Sequence, residues 1–313
     1  MLILHDNKTS NRYFPGTLAE GCKGSLFRFF LKTLRCGKNY DVIIMSHINL
    51  LPAGWLLKKL YPSKKLYLFI HGIEVWNGVK GNRKKMLGNC DHFIAVSNFT
   101  ANRFSESAGV STRNITVLNN CLDPFLAAPV QARRERAILT LTRLASTEKA
   151  KGYDSVIQAL AAIGDPTIKY IIAGKYTQDE YERVKAIAEK YGVWDQVDMR
   201  GFVNDDDLPS LFAEASLYVM PSTKEGFGIV FVEAMYYGLP VIGSNADGSA
   251  DALRNGELGI MVKPGDIKEL ANSIRTILAD PSAFSVSQNK VKEYFSFEKY
   301  KTQLLEIVSD EQG

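Results

Sequence analysis

Short apolar runs rich in β-branched residues alternate with longer amphipathic stretches along nearly the whole chain. This alternation constrains the fold more than any other feature. Leu2–His5, Asp41–Met45, Lys65–Ile70, His92–Val96 and Ile115–Leu118 read as strands in the first part. Ala137–Thr142, Ile168–Ala173, Gln196–Met199, Leu217–Met220, Pro240–Ile242 and Gly259–Val262 read as strands in the second. Between them, Ser25–Arg35, Leu51–Leu60, Gly152–Ala162, Gln178–Tyr191, Asp207–Ala215, Ile229–Tyr237 and Ile267–Ala279 carry helical spacing. Strands that are apolar on both sides belong in sheets whose two faces are both covered. Strand and helix in alternation predict a parallel α/β fold. A length of 313 residues is enough for two such domains. The pattern breaks over Asp123–Arg136, where Pro124 and Pro129 precede a basic run. The expected division is an N-terminal domain over 1–128, a second domain over 129–290, and a C-terminal helix over 291–313 returning to the first. Two doubly wound domains would face each other across a cleft, with ligands outside the carboxyl ends of the strands.

Composition narrows the class. With 46% hydrophobic and 23% charged residues, the chain is neither disordered nor a disulfide scaffold. Cys22, Cys36, Cys90 and Cys121 have no metal-binding spacing. No apolar run reaches the ~20 residues of a membrane span. The opening Met1–Asp6 is too short and too soon acidic for a secretory signal, so a cytoplasmic location is expected. The net charge of +4 conceals an asymmetry: residues 1–130 carry 17 Lys/Arg against 7 Asp/Glu, and the rest carry 21 against 27. A basic half favours anionic partners. Leu26–Arg35 mixes apolar and basic residues, and Lys58-Lys59, Lys64-Lys65 and Arg83–Lys85 would add attraction to a lipid surface. Peripheral contact with the inner membrane face is one reading of these residues, and not the plainer one. An ordinary core helix with a basic outer face accounts for the same residues. No recognition motif accompanies the charge, so nucleic acid is not an expected partner.

Three stretches carry chemistry. In Pro221–Met235 a strand gives way to a Gly-containing loop and then a helix opening at Gly228 and Ile229. A helix start offers backbone N–H groups and a positive dipole end to phosphate. Glu225 stands before that start; favouring the dipole would explain it equally well. Glu233 lies among Phe231, Val232, Ala234 and Met235, where a carboxylate needs a partner or a ligand. Next, Arg143 follows a strand and Lys151 precedes a helix, so both could meet a phosphate above the sheet. Two solvated cations remain the plainer reading. Finally, His71 ends a strand and precedes Gly72, which suits a functional position as well as a structural one. No Gly-x-Gly-x-x-Gly follows a strand, which counts against a dinucleotide enzyme. Asn204–Asp207 contains an Asp-x-Asp, but capping of the helix that follows explains it without a metal.

In this order, the stretches resemble retaining glycosyltransferase family four, of GT-B fold. The match runs from about Asp41 to the C-terminus. Its most specific part is Glu-x7-Glu, Glu225 to Glu233, with Gly226-Phe227-Gly228 inside. Arg143 and Lys151-Gly152 look like the family's diphosphate pair, with a longer intervening loop. His71–Glu74 looks like its cleft histidine segment. Val96-Ser97 and Asn120–Asp123 match segments at the end of the first domain, with Cys121 replacing a glycine. Gly201–Val203 resembles the segment whose main chain reads the nucleobase. The resemblance implies a nucleoside-diphosphate hexose donor, with a UDP-sugar expected, and a saccharide or lipid-linked acceptor in surface polysaccharide or glycolipid synthesis. Arg143 and Lys151 would neutralise the leaving diphosphate in place of a metal, assisted by the helix start at Gly228 and Ile229. Glu233 would bind the ribose. Glu225, with the backbone of Gly226 and Phe227, would hold the sugar, and Val203 would meet the base. His71 would lie near the sugar. Ser97 and Asn120 are further candidates. No cofactor is implied.

One departure bears on the first domain. About 35 residues separate Leu2–His5 from the strand at Asp41, which leaves room for one helix. Leu2–His5 therefore looks like the family's second strand, with the first strand and Gly-rich loop missing. An N-terminally shortened domain would expose a sheet edge and favour self-association. It also leaves two rival functions, a catalytically weak nucleotide-sugar-binding protein and a GT-B sugar-nucleotide epimerase.

Overall fold

The computed structural model describes residues 1–5, 19–131, 134–145 and 150–309. Their strands are β1 (Leu2–Ile3), β2 (Glu20–Gly21), β3 (Val42–Met45), β4 (Lys65–Ile70), β5 (His92–Ala95), β6 (Ile115–Val117), β7 (Ala137–Leu141), β8 (Lys169–Ala173), β9 (Val197–Gly201), β10 (Leu217–Val219), β11 (Val241–Ser244) and β12 (Ile260–Val262). The α-helices are α1 (Leu26–Gly37), α2 (Leu51–Leu60), α3 (Ile73–Trp76), α4 (Asn82–Leu87), α5 (Asn98–Ala108), α6 (Tyr153–Ile163) and α7 (Gln178–Lys190), then α8 (Leu208–Glu214), α9 (Ile229–Tyr236), α10 (Ser249–Ala252), α11 (Ile267–Ala279), α12 (Gln288–Phe295) and α13 (Phe297–Ser309). Two compact units result. One holds Met1–Ala95 and Ala101–Val117, the other Val96–Thr100 and Leu118–Gly313. The break in the chain thus falls at Leu118, ahead of the proline-containing stretch. The segment over 291–313 holds the end of α12 and the whole of α13, both within the second unit.

The second unit is built on a parallel sheet in the order β12-β11-β10-β7-β8-β9. Growth runs outward from β7 to β9, then returns to β7's other side and runs from β10 to β12. This is the doubly wound arrangement, and its reversal lies between β7 and β10. The unbroken apolar runs follow from coverage of both faces. Ala137, Leu139, Ile171 and Tyr218 enter one core with Phe212 of α8, Phe231 and Met235 of α9, and Phe295 of α12. Ile138, Tyr170, Ile172 and Leu217 enter another with Val156 and Leu160 of α6, Val184 of α7, and Ile274 of α11.

The first unit has the parallel order β3-β4-β5-β6. One face packs Met45, Leu68, Ile70, Phe93 and Ala95 against Leu51, Val75, Leu87 and Phe104. The other face is covered unevenly. Tyr67 and Ile94 are buried, whereas Ile44 is 44% exposed. Among the described residues, β3 pairs only with β4, and β1 pairs with β2 in a separate two-stranded parallel sheet. The strand expected over Leu2–His5 therefore does not lie beside β3. Ser25 caps α1, which buries Phe29 and Gly37 and leaves Leu26, Phe27 and Leu31 exposed. Two of the lysines expected to face a lipid surface have internal work instead. Lys58 Nζ meets Asp91 Oδ2 at 2.9 Å, and the buried Lys64 donates to the carbonyls of Lys38 and Tyr40. A lysine beside a strand start is used to hold loop carbonyls, which composition cannot reveal.

Helix α6 is fixed at its start by a charge network. Arg183 of α7 forks onto Asp154 at 2.7 and 2.9 Å, and its Nε donates to Glu180 at 3.0 Å. Glu180 is 2% exposed and also accepts from the Tyr153 hydroxyl. Arg183→Ala leaves two acids without their cation and should cost about 3 kcal/mol. Arg183→Lys should recover only part, because a point charge cannot reproduce the fork. Thermal melts of the two variants check this; an unchanged melting temperature for the alanine variant would refute it.

Candidate active site

The loops that leave β7 and β10 rise side by side at the reversal of the second unit's sheet, outside the carboxyl ends of the strands. Arg143 sits in the first loop, two residues past β7, and is exposed. Lys151 follows in the same connection, just before Gly152 and α6. The second loop runs from Pro221 to Gly228. Lys151 and Glu225 meet across them, Nζ to Oε2 at 2.6 Å, with both side chains mostly buried. A cation and an acceptor in contact at a strand-end crevice can serve a ligand that is both anionic and hydroxylated.

The Glu225–Gly226 peptide is held from several directions. Glu225 N–H donates to Asp247 Oδ2 at 3.0 Å, and Glu225 C=O accepts from Gly248 N–H at 2.9 Å. Gly226 N–H donates to Glu225 Oε1 at 3.0 Å, and Gly226 C=O accepts from Thr100 Oγ1 at 3.3 Å. A Cβ on Gly248 would stand 2.1 Å from the Gly226 oxygen, so that position accepts no side chain. The Phe227 ring is buried edge-on against Phe295, which leaves its main chain as the part available to a ligand. Gly228 turns the chain into α9 with φ +83°, and no side chain caps the helix. A β-carbon there would collide with Phe231, so glycine is required by both space and conformation.

Glu233 lies on α9, two turns from Glu225 in sequence. It has no hydrogen bond or ion pair from its carboxylate among the described residues. Burial, reinforced by Asp205 and Asp123, pushes its pKa up to about 7. Glu225 and Glu233 both act on the buried Tyr218 phenol, which is pushed well above its ordinary range by burial first and by these charges second. Val203 is half-buried against the same core, beside Phe202, which is 70% exposed.

Other expected residues have local work. Ser97 is buried, and its Oγ accepts from Thr100 N–H at the start of α5. The neighbour of Asn120, Asn119, holds the Val96 carbonyl at 3.0 Å. His71 belongs to the first unit, just after β4. Its Nε2 lies 2.7 Å from the Ser46 carbonyl, which can only accept, so Nε2 is the donor of this contact. The His71 N–H is taken by Glu74 Oε1, and the ring stacks near His47. Asp205–Asp207 form a 3-10 turn leading into α8. Neither Asn204 nor Asp207 makes a side-chain cap, so the capping expected there is absent, and the three acids lie in the 3-10 turn ahead of α8, whose own first turn holds none. Among the described residues no three His, Cys, Asp or Glu side chains converge as a metal site.

The family model described as glycosyl transferases group 1 matches residues 130–295, and the model of glycosyltransferase family 4 matches residues 10–124. The chain belongs to the group 1 glycosyltransferases. It is 30% identical over 254 residues to the glycogen synthase of Mycobacterium tuberculosis, covering 78% of this chain and 56% of that protein. The chain thus spans little more than half of that relative. It is 27% identical over 244 residues to the GDP-mannose-dependent α-(1-6)-phosphatidylinositol monomannoside mannosyltransferase of the same organism, covering 71% of this chain and 62% of that one. In fold it is similar to Anabaena Alr3699/HepE, solved in complex with UDP. The TM-score is 0.78 at 24% identity, with 93% of this chain and 86% of that one covered.

For a glycosyltransferase of this family, the raised Glu233 pKa has a measurable cost. The folded protein holds that proton up to about pH 7, whereas the unfolded chain releases it near the ordinary glutamate value of 4.5. Stability contributed by the neutral form is therefore lost as pH rises through that window, by up to about 3 kcal/mol. Glu233→Gln should melt higher than the natural protein at pH 8, with a smaller gap at pH 5. A gap that is equal at both pH values would contradict this.

Proposed function

We propose that the chain transfers a hexose from a nucleoside-diphosphate sugar, with UDP as the first nucleotide to test, to a saccharide or lipid-linked acceptor, with retention at the anomeric carbon and without a metal. The observation that carries this reading is the 2.6 Å contact of Lys151 with Glu225 at the mouth of an uncapped helix start. Lys151, Arg143 and the N–H groups of Ile229 and Val230 would take the diphosphate as its bond to the sugar breaks. Glu225 would accept from sugar hydroxyls and Glu233 from the ribose. The acceptor oxygen would add to the anomeric carbon on the face the diphosphate leaves. The departing phosphate oxygen would take the acceptor's proton, so no carboxylate nucleophile is required. The complexes of Alr3699/HepE with UDP and with UDP-glucose support the choice of donor class.

Donor turnover in EDTA, measured as released nucleotide, tests the reading. Lys151→Ala and Glu225→Ala should each lower kcat by about a hundredfold while staying folded at the assay temperature, with a lower melt because each strands one partner of a mostly buried ion pair. Retention of full turnover in either variant would argue against the assignment. Glu233→Ala should instead weaken nucleotide binding by roughly tenfold or more, the loss expected for charge-assisted hydrogen bonds.

The exposed face of α1 favours an acceptor at a lipid surface. Phe27 is 74% exposed, Leu26 and Leu31 lie beside it, and Arg28 and Arg35 flank them. Apolar side chains bordered by cations suit an anionic bilayer, where each cation contributes about 1 kcal/mol. Co-sedimentation should be stronger with phosphatidylglycerol vesicles than with phosphatidylcholine, and Phe27→Glu should abolish it. Equal binding to both vesicles would remove this part of the proposal.

A further inference from the structure

Asp247 is the most deeply buried carboxylate beside the site, 2% exposed in the loop between β11 and α10. It has no cation in contact among the described residues. Its two oxygens face four donors instead. Oδ2 accepts from Ser222 Oγ at 2.6 Å and from Glu225 N–H at 3.0 Å. Oδ1 accepts from Ser249 N–H at 3.0 Å and from Ser249 Oγ at 2.6 Å. Burial works against this charge and raises the carboxyl pKa; the serine donors oppose the rise. Buried charge without a counterion is costly, so its geometry must be over-determined by its surroundings to persist. The next residue completes the grip. Gly248 N–H holds the Glu225 carbonyl, and its missing β-carbon admits the Gly226 oxygen.

The loop after β11 therefore holds one residue of the loop after β10, Glu225, at both its N–H and its C=O. The Glu225 side chain in turn has its Oε1 over Gly226 N–H and its Oε2 on Lys151. Its main chain is set from behind by Asp247 and Gly248, ahead of the first turn of α9.

We propose that Asp247 is a positioning residue for recognition of the donor's sugar: it fixes the Glu225 main chain so that the carboxylate stands ready for sugar hydroxyls. This rests on the nucleotide-sugar reading above. Asparagine cannot replace it. One oxygen becomes an NH2 group, which faces either Glu225 N–H or Ser249 N–H, and neither can turn to accept. Ser222→Ala is the milder change, because it removes one donor and leaves both backbone contacts in place.

The sugar and nucleotide portions of the donor separate positioning from general loosening. Calorimetric titrations of the natural protein, Asp247→Asn and Ser222→Ala would use UDP against UDP-glucose and GDP against GDP-mannose, with donor hydrolysis measured in parallel. In Asp247→Asn, affinity for the nucleotide sugar should fall about tenfold, and kcat with it, while affinity for the free nucleoside diphosphate stays within about twofold. Ser222→Ala should move the same ratio by about threefold and serves as the test if the asparagine variant does not fold. Equal losses for nucleotide and nucleotide sugar, or no loss for either, would overturn the proposal for Asp247 alone. A natural protein that binds none of the four ligands would bring down the function reading, and this inference with it.

Discussion

Lys151 and Glu225 can touch because the loops that carry them leave neighbouring strands at the point where the sheet reverses its growth. Elsewhere in a doubly wound sheet, adjacent connections on one face are separated by packed helices. At the reversal, successive helices go to opposite faces and leave a crevice above the strand ends. The order β12-β11-β10-β7-β8-β9 fixes that reversal between β7 and β10. Everything proposed for the site is a consequence of what these two connections place in the crevice.

The ion pair holds both side chains in mostly buried positions, which limits the ordering required when a ligand arrives. A phosphate oxygen needs the cation and a sugar hydroxyl needs the carboxylate. The pair therefore already holds the two kinds of partner the donor would require, at the spacing of one contact. Glu233 shows the complementary strategy. It is left without a hydrogen-bonding partner among the described residues, at a cost in stability, on a helix whose neighbouring side chains are buried. Strain kept at a site and offset by the core around it is a usual arrangement in binding proteins.

The second unit is the more legible in sequence because both sheet faces are covered over β7, β8, β10 and β11, which are mostly apolar runs, while the edge strand β9 carries Asp198 and Arg200. The Gly-containing turn into α9 announced the site for the same reason: Gly226 and Gly228 interrupt a strand–helix transition within a few residues. What stayed hidden is tertiary. Asp247 lies 22 residues from Glu225, in a loop, and Thr100 lies 126 residues from Gly226, at the start of α5, so neither contact can be read from local pattern. The network of Asp154, Glu180 and Arg183 is likewise visible only once α6 and α7 pack. In the first unit, α3 and α4 are too short for a helical pattern to emerge, and Lys58 and Lys64 read as surface charge although their ammonium groups hold loop carbonyls and an aspartate. Ser97 and Asn120 stand out in the sequence only through resemblance; the Ser97 hydroxyl also has a structural partner at the start of α5, which no local pattern reveals.

The central claim is that two cations and a helix start bind a sugar diphosphate where many enzymes would use a divalent ion. A titration of the natural protein with UDP-glucose and with GDP-mannose, in EDTA and then with magnesium restored, addresses it most directly. The account predicts one-to-one binding of one of these donors in EDTA, with affinity little changed by magnesium. Binding that appears only when magnesium is added would contradict it.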